Sequence, residues 1–281
     1  MNSAAQRQSN SSNASSAIVP EVDLHCHILP DWDDGPATLE ESLAMARRGA
    51  ELGLKKILVT PHVGRTIRGR EKPSREIPGA TKKLQEEINR AGIPIELVPG
   101  AELSLSAPEL IERVTRNPWM SVGGQSKYIL LESPFNEWPA VAEKMLYQIA
   151  LTGVTIIIAH PERYVNVQKD LSIMEAAVQQ GALLQITARS FIAPESRPVH
   201  KTAVRMLERG MVSIIASDAH TPAGAHIKDA VDFVTKAIGD EQARQIFVEN
   251  PQAILEGDYV VSADIRPQGK KQGFLTGLFR R

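Results

Sequence analysis

Between residues 20 and 260 the apolar positions fall into two alternating kinds of segment. Short apolar runs rich in β-branched residues occur at Val22–Leu24, Lys56–Thr60, Ile95–Pro99, Tyr128–Leu131, Val154–Ala159, Ala182–Ile186 and Val212–Ala216. A strand with one wet face alternates apolar and polar residues. These runs do not, so each is predicted to be a strand buried on both faces, as in a parallel sheet. Between them apolar residues recur at helical spacing. Leu39, Leu43, Ala46 and Ala50 form one stripe, opened by the capping-box pair Thr38 and Glu41 and ended by Gly53. Pro139 opens another, with Val141, Met145 and Ile149, ended by Gly153. Leu171 to Val178 before Gly181, Val199 to Leu207 before Gly210, and Ile227 to Ile238 before Gly239 repeat the pattern. Strand, helix, glycine and strand in repetition imply right-handed crossovers and a parallel sheet, so the fold class is α/β. Seven such units can close a barrel or form an open doubly wound sheet. No Gly-rich phosphate loop follows the first strand, which weighs against a dinucleotide fold.

No linker-like break divides residues 20–260, so one domain is expected there. Residues 1–19 are rich in Ser, Asn, Gln and Ala and lack the basic-then-apolar order of a secretory signal, so a disordered leader is expected. Residues 261–281 form a basic tail that also carries Phe274, Leu275, Leu278 and Phe279. It is read as a flexible solvated tail, with a weak membrane-surface contact as the alternative.

Charge narrows the choice of partner. Lys and Arg number 32 against 33 Asp and Glu, a formal net charge of -1, so there is no broad basic footprint and nucleic acid is not expected as a partner. The single cysteine, Cys26, excludes a disulfide framework and a thiolate-rich zinc site. No apolar run is long enough to span a bilayer, and a cytoplasmic location is expected.

The polar residues at the strand ends carry the chemistry. The first strand runs into His25-Cys26-His27, with Asp33-Asp34-Gly35 beyond it. The others end at His62, Glu102, Glu132, His160-Pro161-Glu162-Arg163, Thr187 with Arg189, and Asp218-Ala219-His220. Active sites of barrels sit at these C-terminal strand ends. Five of the seven histidines fall there, while His200 and His226 fall in predicted helices. Alternate residues of a strand share a face, so His25 and His27 can point at one ion while Cys26 points away as a small buried hydrophobe. Five imidazoles and four carboxylates are too many for one ion and suit a cluster of two or three. Without a thiolate the set favours Mn²⁺, Fe²⁺ or Zn²⁺.

His25-x-His27, Asp34-Gly35-Pro36, Thr60-Pro61-His62, Gly100-Ala101-Glu102, Ala159-His160-Pro161-Glu162-Arg163 and Ser217-Asp218-Ala219-His220 resemble the polymerase-and-histidinol-phosphatase (PHP) superfamily. The wording from Val22 to Pro36 is similar to its bacterial tyrosine-protein phosphatases of capsule and exopolysaccharide regulation. The resemblance implies a distorted (β/α)₇ TIM-like barrel of PHP type with three metals, usually manganese. By that resemblance His25, His27, Glu102 and Asp218 would hold one ion; Glu102, Glu132 and His160 a second; and Asp34, His62 and His220 a third. Arg163 matches the phosphate-binding arginine, and the catalytic set is Arg163, Asp34 and His220. The implied substrate is phosphotyrosine on a protein, with a bacterial tyrosine autokinase as partner. The resemblance departs in two places: the leader of 20 residues is longer than the family's usual abrupt start, and relatives tend to carry an arginine a few residues after the Ser-Asp-x-His element, where Thr221 to His226 holds none. Arg189 and Arg65 are the candidates for a second contact to phosphate.

A cluster of this kind can bring the pKa of a water towards about 7, giving hydroxide for in-line attack on phosphorus. Asp31 and Asp33 are read as solvated loop carboxylates. A thiol phosphatase would need an arginine six residues beyond Cys26, where Trp32 stands. The alternative that keeps the metals is a phosphoesterase acting on a small phosphate monoester such as histidinol phosphate.

Overall fold

The computed structural model describes residues 17–67, 72–133, 136–260 and 265. The strands are β1 (Val22–Cys26), β2 (Lys56–Val59), β3 (His62–Val63), β4 (Glu96–Pro99), β5 (Glu102–Ser104), β6 (Tyr128–Glu132), β7 (Thr155–Ala159), β8 (Leu183–Thr187) and β9 (Ile214–Ala216). Every pairing between them is parallel. One sheet has the order β1-β2-β4 and the other β3-β5-β6-β7-β8-β9. β3 follows β2 across Thr60-Pro61, and β5 follows β4 across Gly100-Ala101, so each pair is one stave interrupted part-way. Prolines cause the first break and flank the second, because Pro61 and Pro99 have no N–H to give a ladder.

The result is seven staves, the number read from the apolar runs. The ring closes between the first and last by a parallel bridge, Cys26 to Ala219. His27 N donates to Ala219 O at 3.0 Å and Asp218 N to His25 O at 2.8 Å across the same seam. The fold is an α/β, TIM-like distorted barrel.

The helices are α1 (Leu39–Glu51), α2 (Ile77–Arg90), α3 (Leu110–Arg116), α4 (Ala142–Ala150), α5 (Val165–Lys169), α6 (Ser172–Gln179), α7 (Arg189–Ile192), α8 (Arg197–Glu208), α9 (Ile227–Ile238), α10 (Asp240–Arg244) and α11 (Asn250–Glu256), with a π-helical turn at Gln245–Glu249 before α11. α1 starts as the capping pair requires, Thr38 Oγ1 accepting from Glu41 N at 3.2 Å. The apolar stripes do not reveal α2 and α3. They place His226 inside a helix, whereas the residue sits just before α9.

Two apolar layers result. Ile57, Val59, Ile129, Leu131, Ile156, Ile158, Leu184, Ile186 and Ile215 pack outward against the helices. Val22, Leu24, Leu58, Tyr128, Leu130, Ile157, Leu183 and Ile214 fill the inside, and Ile254 and Leu255 of α11 stopper its lower end. The upper end is left to polar residues. Among the described residues no helix is long and apolar enough to cross a membrane. The leader read at 1–19 and the tail read at 261–281 lie, but for residues 17–19 and 265, outside the described residues.

Candidate metal centre

Six of the seven staves deliver ligands, each by a local device. In β1 the register shifts between Asp23 and Cys26. Such a bulge turns consecutive residues to one face and re-aims the side chains beyond it. Val22 and Leu24 therefore belong to the inner layer, yet Cys26 joins the outer one, and His25 and His27 point inward together. Parallel register sets His62 of β3 directly beside Glu102 of β5. Glu132 ends β6 on the inward face of Leu130. After β7 and β9 the chain takes left-handed turns at His160 (φ 35°) and Asp218 (φ 50°). Such backbone costs a non-glycine residue about 1–3 kcal/mol and persists only where the surroundings over-determine it. Here it swings two more side chains over the mouth.

All nine sequence-predicted ligands converge. His25 Nε2 lies 3.2 Å from His27 Nε2, 3.4 Å from Glu102 Oε1 and 3.3 Å from Asp218 Oδ1. His160 Nε2 is 2.8 Å from Glu102 Oε1. His62 Nδ1 is 2.9 Å from Glu102 Oε2 and 3.0 Å from Glu132 Oε1. Asp34 Oδ1 is 3.4 Å from His62 Nε2 and 3.3 Å from His220 Nε2. Four metal-sized groupings result: His27, Asp34, His62 and His220; His25, Glu102 and His160; His25, His27 and Asp218; His62, Glu102 and Glu132. The resemblance pairs Glu132 with His160, whereas here its imidazole neighbour is His62. A neutral imidazole has one lone pair, so His62 can serve only one of the two groupings it touches.

Buried partners fix the imidazoles. His27 Nδ1 is 2.7 Å from Asp33 Oδ2 and His25 Nδ1 is 2.9 Å from Gln185 Oε1. With Nδ1 donating to these acceptors, each Nε2 turns its lone pair to the centre, as in carboxylate-histidine-metal sites. Asp33 is therefore not the solvated loop carboxylate that the sequence suggested. It is 7% exposed and also accepts from His62 N at 3.2 Å and Gly35 N at 3.0 Å. Sequence reasoning missed Gln185 as well, although a lone amide within an apolar strand was a signal. Glu162, fully buried, ties the turns after β7 and β8 together by accepting from Thr187 N at 3.0 Å and Ser190 Oγ at 2.7 Å.

Burial and neighbouring charges act on the ligands in opposite directions. Burial alone would lower the His27 pKa, but the charge and hydrogen bond of Asp33, joined by Glu102, lift it to about 10. His62 is raised in the same way, chiefly by Glu102 against its burial. Burial pushes Glu102 upward, yet its ring of imidazoles holds it well below the usual carboxylate range. Asp34 Oδ1, His62 Nδ1 and Glu102 Oε2 are shielded from solvent without a hydrogen-bond partner. Such atoms, all nitrogen or oxygen donors turned to one centre, fit divalent cations.

Of the three arginines that the sequence offers to phosphate, two reach the cluster. Arg163 closes a short turn, Pro161–Arg163, and its Nη2 lies 2.7 Å from Asp218 Oδ2 and 3.6 Å from Glu195 Oε1. Arg65 Nη1 lies 3.2 and 3.0 Å from the two oxygens of Glu132. Arg189 is not brought to the cluster. The chain enters α7 directly after β8, and the exposed Arg189 donates from Nε to Ala193 O of its own helix end at 2.9 Å. Cys26 is buried against Ala219 O at 3.7 Å, and burial pushes its thiol well up.

A parallel barrel with imidazoles and carboxylates gathered at its C-terminal mouth defines the class of TIM-barrel-like metal hydrolases. Within it the chain belongs to the CpsB/CapC family of capsular polysaccharide synthesis, whose family model matches residues 21–256. It is 30% identical to the tyrosine-protein phosphatase YwqE of Bacillus subtilis, over 92% of this chain and 100% of that one. To the tyrosine-protein phosphatase CpsB of Streptococcus pneumoniae it is 28% identical, over 83% and 98%. Among solved structures it superimposes with a TM-score of 0.80 and 27% identity on one from a study of YwqE and CpsB, described there as unique metal-dependent tyrosine phosphatases, covering 89% of this chain and 100% of that one. A lactonase of Listeria monocytogenes, at 13% identity and a TM-score of 0.51 over 85% and 95% of the two chains, shares the fold alone.

Proposed function

We propose that this chain is a metal-dependent protein-tyrosine phosphatase acting on a phosphotyrosine protein, a bacterial tyrosine autokinase of capsule or exopolysaccharide synthesis. The observation that carries the reading is the convergence of nine nitrogen and oxygen ligands around Glu102 with the Arg163 guanidinium at their rim. Relatives named as tyrosine-protein phosphatases support the substrate. Mn²⁺ is the proposed ion, in a three-metal cluster, with Fe²⁺ and Zn²⁺ as alternatives; such ions acidify water and neutralise charge on phosphoryl oxygens.

The chain's own residues do the rest. His25, His27, His62, Glu102, Glu132, His160 and Asp218 are buried and would hold the ions away from bulk water. Asp34 and His220 stand at the more open rim. Although burial raises it, the neighbouring His220 and His62 imidazoles hold Asp34 well below the usual carboxylate range. Burial works against the Arg163 charge, but Asp218 and Glu162 hold it firmly, so a cation is always present for the phosphoryl oxygens. Cys26 faces the outer layer and takes no part, which supports direct hydrolysis without a cysteinyl intermediate. The same reading makes residues 20–260 the phosphatase barrel of a cytoplasmic protein, flanked by a leader over 1–19 and a basic tail over 261–281.

The test is turnover of p-nitrophenyl phosphate, a phosphotyrosine peptide and histidinol phosphate, each with and without chelator. Chelator-sensitive hydrolysis of the peptide and the aryl ester is expected. Preference for histidinol phosphate would move the assignment to a small-ester phosphoesterase.

A further inference from the structure

Arg65 is mounted with more care than a surface charge needs. It follows Gly64, whose φ is +80°, and a Cβ on Gly64 would lie 2.4 Å from Ala107 Cβ. Only glycine allows both the turn and the close approach. The chain leaving β3 is thereby pressed against the segment after β5, and Arg65 reaches over that stave to Glu132 at the end of β6. Arg163 makes the matching reach on the other half of the ring, from the end of β7 over β8 to Asp218. Each guanidinium rests on the carboxylate of a cluster residue, and each side chain stays partly open to solvent, 36% for Arg65 and 28% for Arg163.

A carboxylate that coordinates a cation has less charge left for a guanidinium beside it. A phosphate dianion arriving above the cluster offers oxygens in the fork geometry that arginine matches. The loop Thr221 to His226 contributes no arginine or lysine to hold them.

We propose that Arg65 is a second phosphate-binding residue of this site, leaving Glu132 for the phosphoryl oxygens on the wall opposite Arg163. The inference rests on the phosphatase reading and adds to it a two-arginine clamp drawn from staves on both halves of the barrel.

The experiment compares the parent with Arg65→Ala and Arg65→Lys after saturation with Mn²⁺. Three quantities are measured: binding of inorganic phosphate by calorimetry, kcat and KM on p-nitrophenyl phosphate, and bound metal by elemental analysis. Arg65→Ala should weaken phosphate binding and raise KM about tenfold or more, with Arg65→Lys between it and the parent and the metal content unchanged. Phosphate affinity equal to the parent's in the metal-saturated variant would overturn the proposal, and a fall in metal content alone would make Arg65 a brace for Glu132. Should Arg65→Ala fail to fold, Arg65→Lys decides by phosphate affinity and metal content. A parent that binds phosphate but hydrolyses no aryl ester removes the phosphatase reading while the phosphate-binding comparison still judges Arg65.

Discussion

Three aspartates share the loop after β1, and their spacing does not say which does what. Asp31 stands exposed beside Lys72, Asp34 reaches the cluster, and Asp33 is buried behind His27. The difference is one of neighbours. Gly35 packs so closely on the His27 carbonyl that an added Cβ would lie 2.3 Å from that oxygen, and the tight loop tucks Asp33 beneath the imidazole. Asp33→Asn should therefore weaken metal affinity about 10–100-fold, because an amide brings no charge and can present NH₂ to His27. A competitive metal titration measures this; affinity equal to the parent's would show that His27 needs no such partner. Cys26→Ser should keep most of the turnover, since the side chain touches Ala219 O in the outer layer and no ligand. Steady-state rates at saturating metal check it, and a loss of several orders of magnitude with metal retained would contradict it. The nine ligands were legible in the sequence because a polar residue ending an apolar run is conspicuous. Asp33 and Gln185 were not, because a bracing role depends on which neighbour the register delivers.

At the scale of elements, apolar runs located all the staves but not their irregularities. The breaks at Thr60-Pro61 and Gly100-Ala101, and the bulge in β1, are tertiary features that periodicity does not record. α2 is hard to see in the sequence because its buried stripe, Ile77, Thr81, Leu84 and Ile88, includes a threonine. The seam between β1 and β9 is also held by a buried carboxylate. Asp23 accepts from Ser217 N at 3.0 Å and from Ser217 Oγ at 2.5 Å. Ser217 Oγ in turn accepts from Ala219 N at 3.0 Å, which shapes the left-handed turn at Asp218. Asp23→Ala strands Ser217 N, at about 1–3 kcal/mol for a buried donor left unpaired, and leaves Ser217 Oγ with the His25 carbonyl as its acceptor. A fall in Tm of several degrees by calorimetry is the expected result. An unchanged Tm would mean that the backbone bridge alone closes the ring.

For the molecule as a whole, strand and helix alternation allowed either a barrel or an open sheet, and the bridge from Cys26 to Ala219, with the hydrogen bonds along its seam, distinguishes them. Closure has an electrostatic consequence. It crowds five imidazoles and four carboxylates into one mouth, a concentration that a net charge of -1 conceals. Without cations His25, His27 and His62 bind protons more tightly than a free imidazole, raised by the carboxylates beside them against their burial. His27 holds its proton up to about 10, because Asp33 and Glu102 outweigh the burial that would otherwise release it. Divalent ions must displace such protons, since a protonated imidazole has no lone pair to give. Below about pH 10, then, acidification strengthens the competitor, so metal affinity should rise with pH across the neutral range. The bound ions should also stabilise the fold, by about 2.7 kcal/mol at a free concentration one hundred times Kd. Adding Mn²⁺ to chelator-stripped protein at neutral pH should release protons to the buffer, raise Tm and restore the turnover that chelation abolished. Calorimetry in two buffers of different ionisation enthalpy counts the protons. Binding without proton release would mean that the imidazoles were neutral before the metal arrived. Full activity in a sample shown by elemental analysis to hold no metal would end the metal-dependent reading altogether.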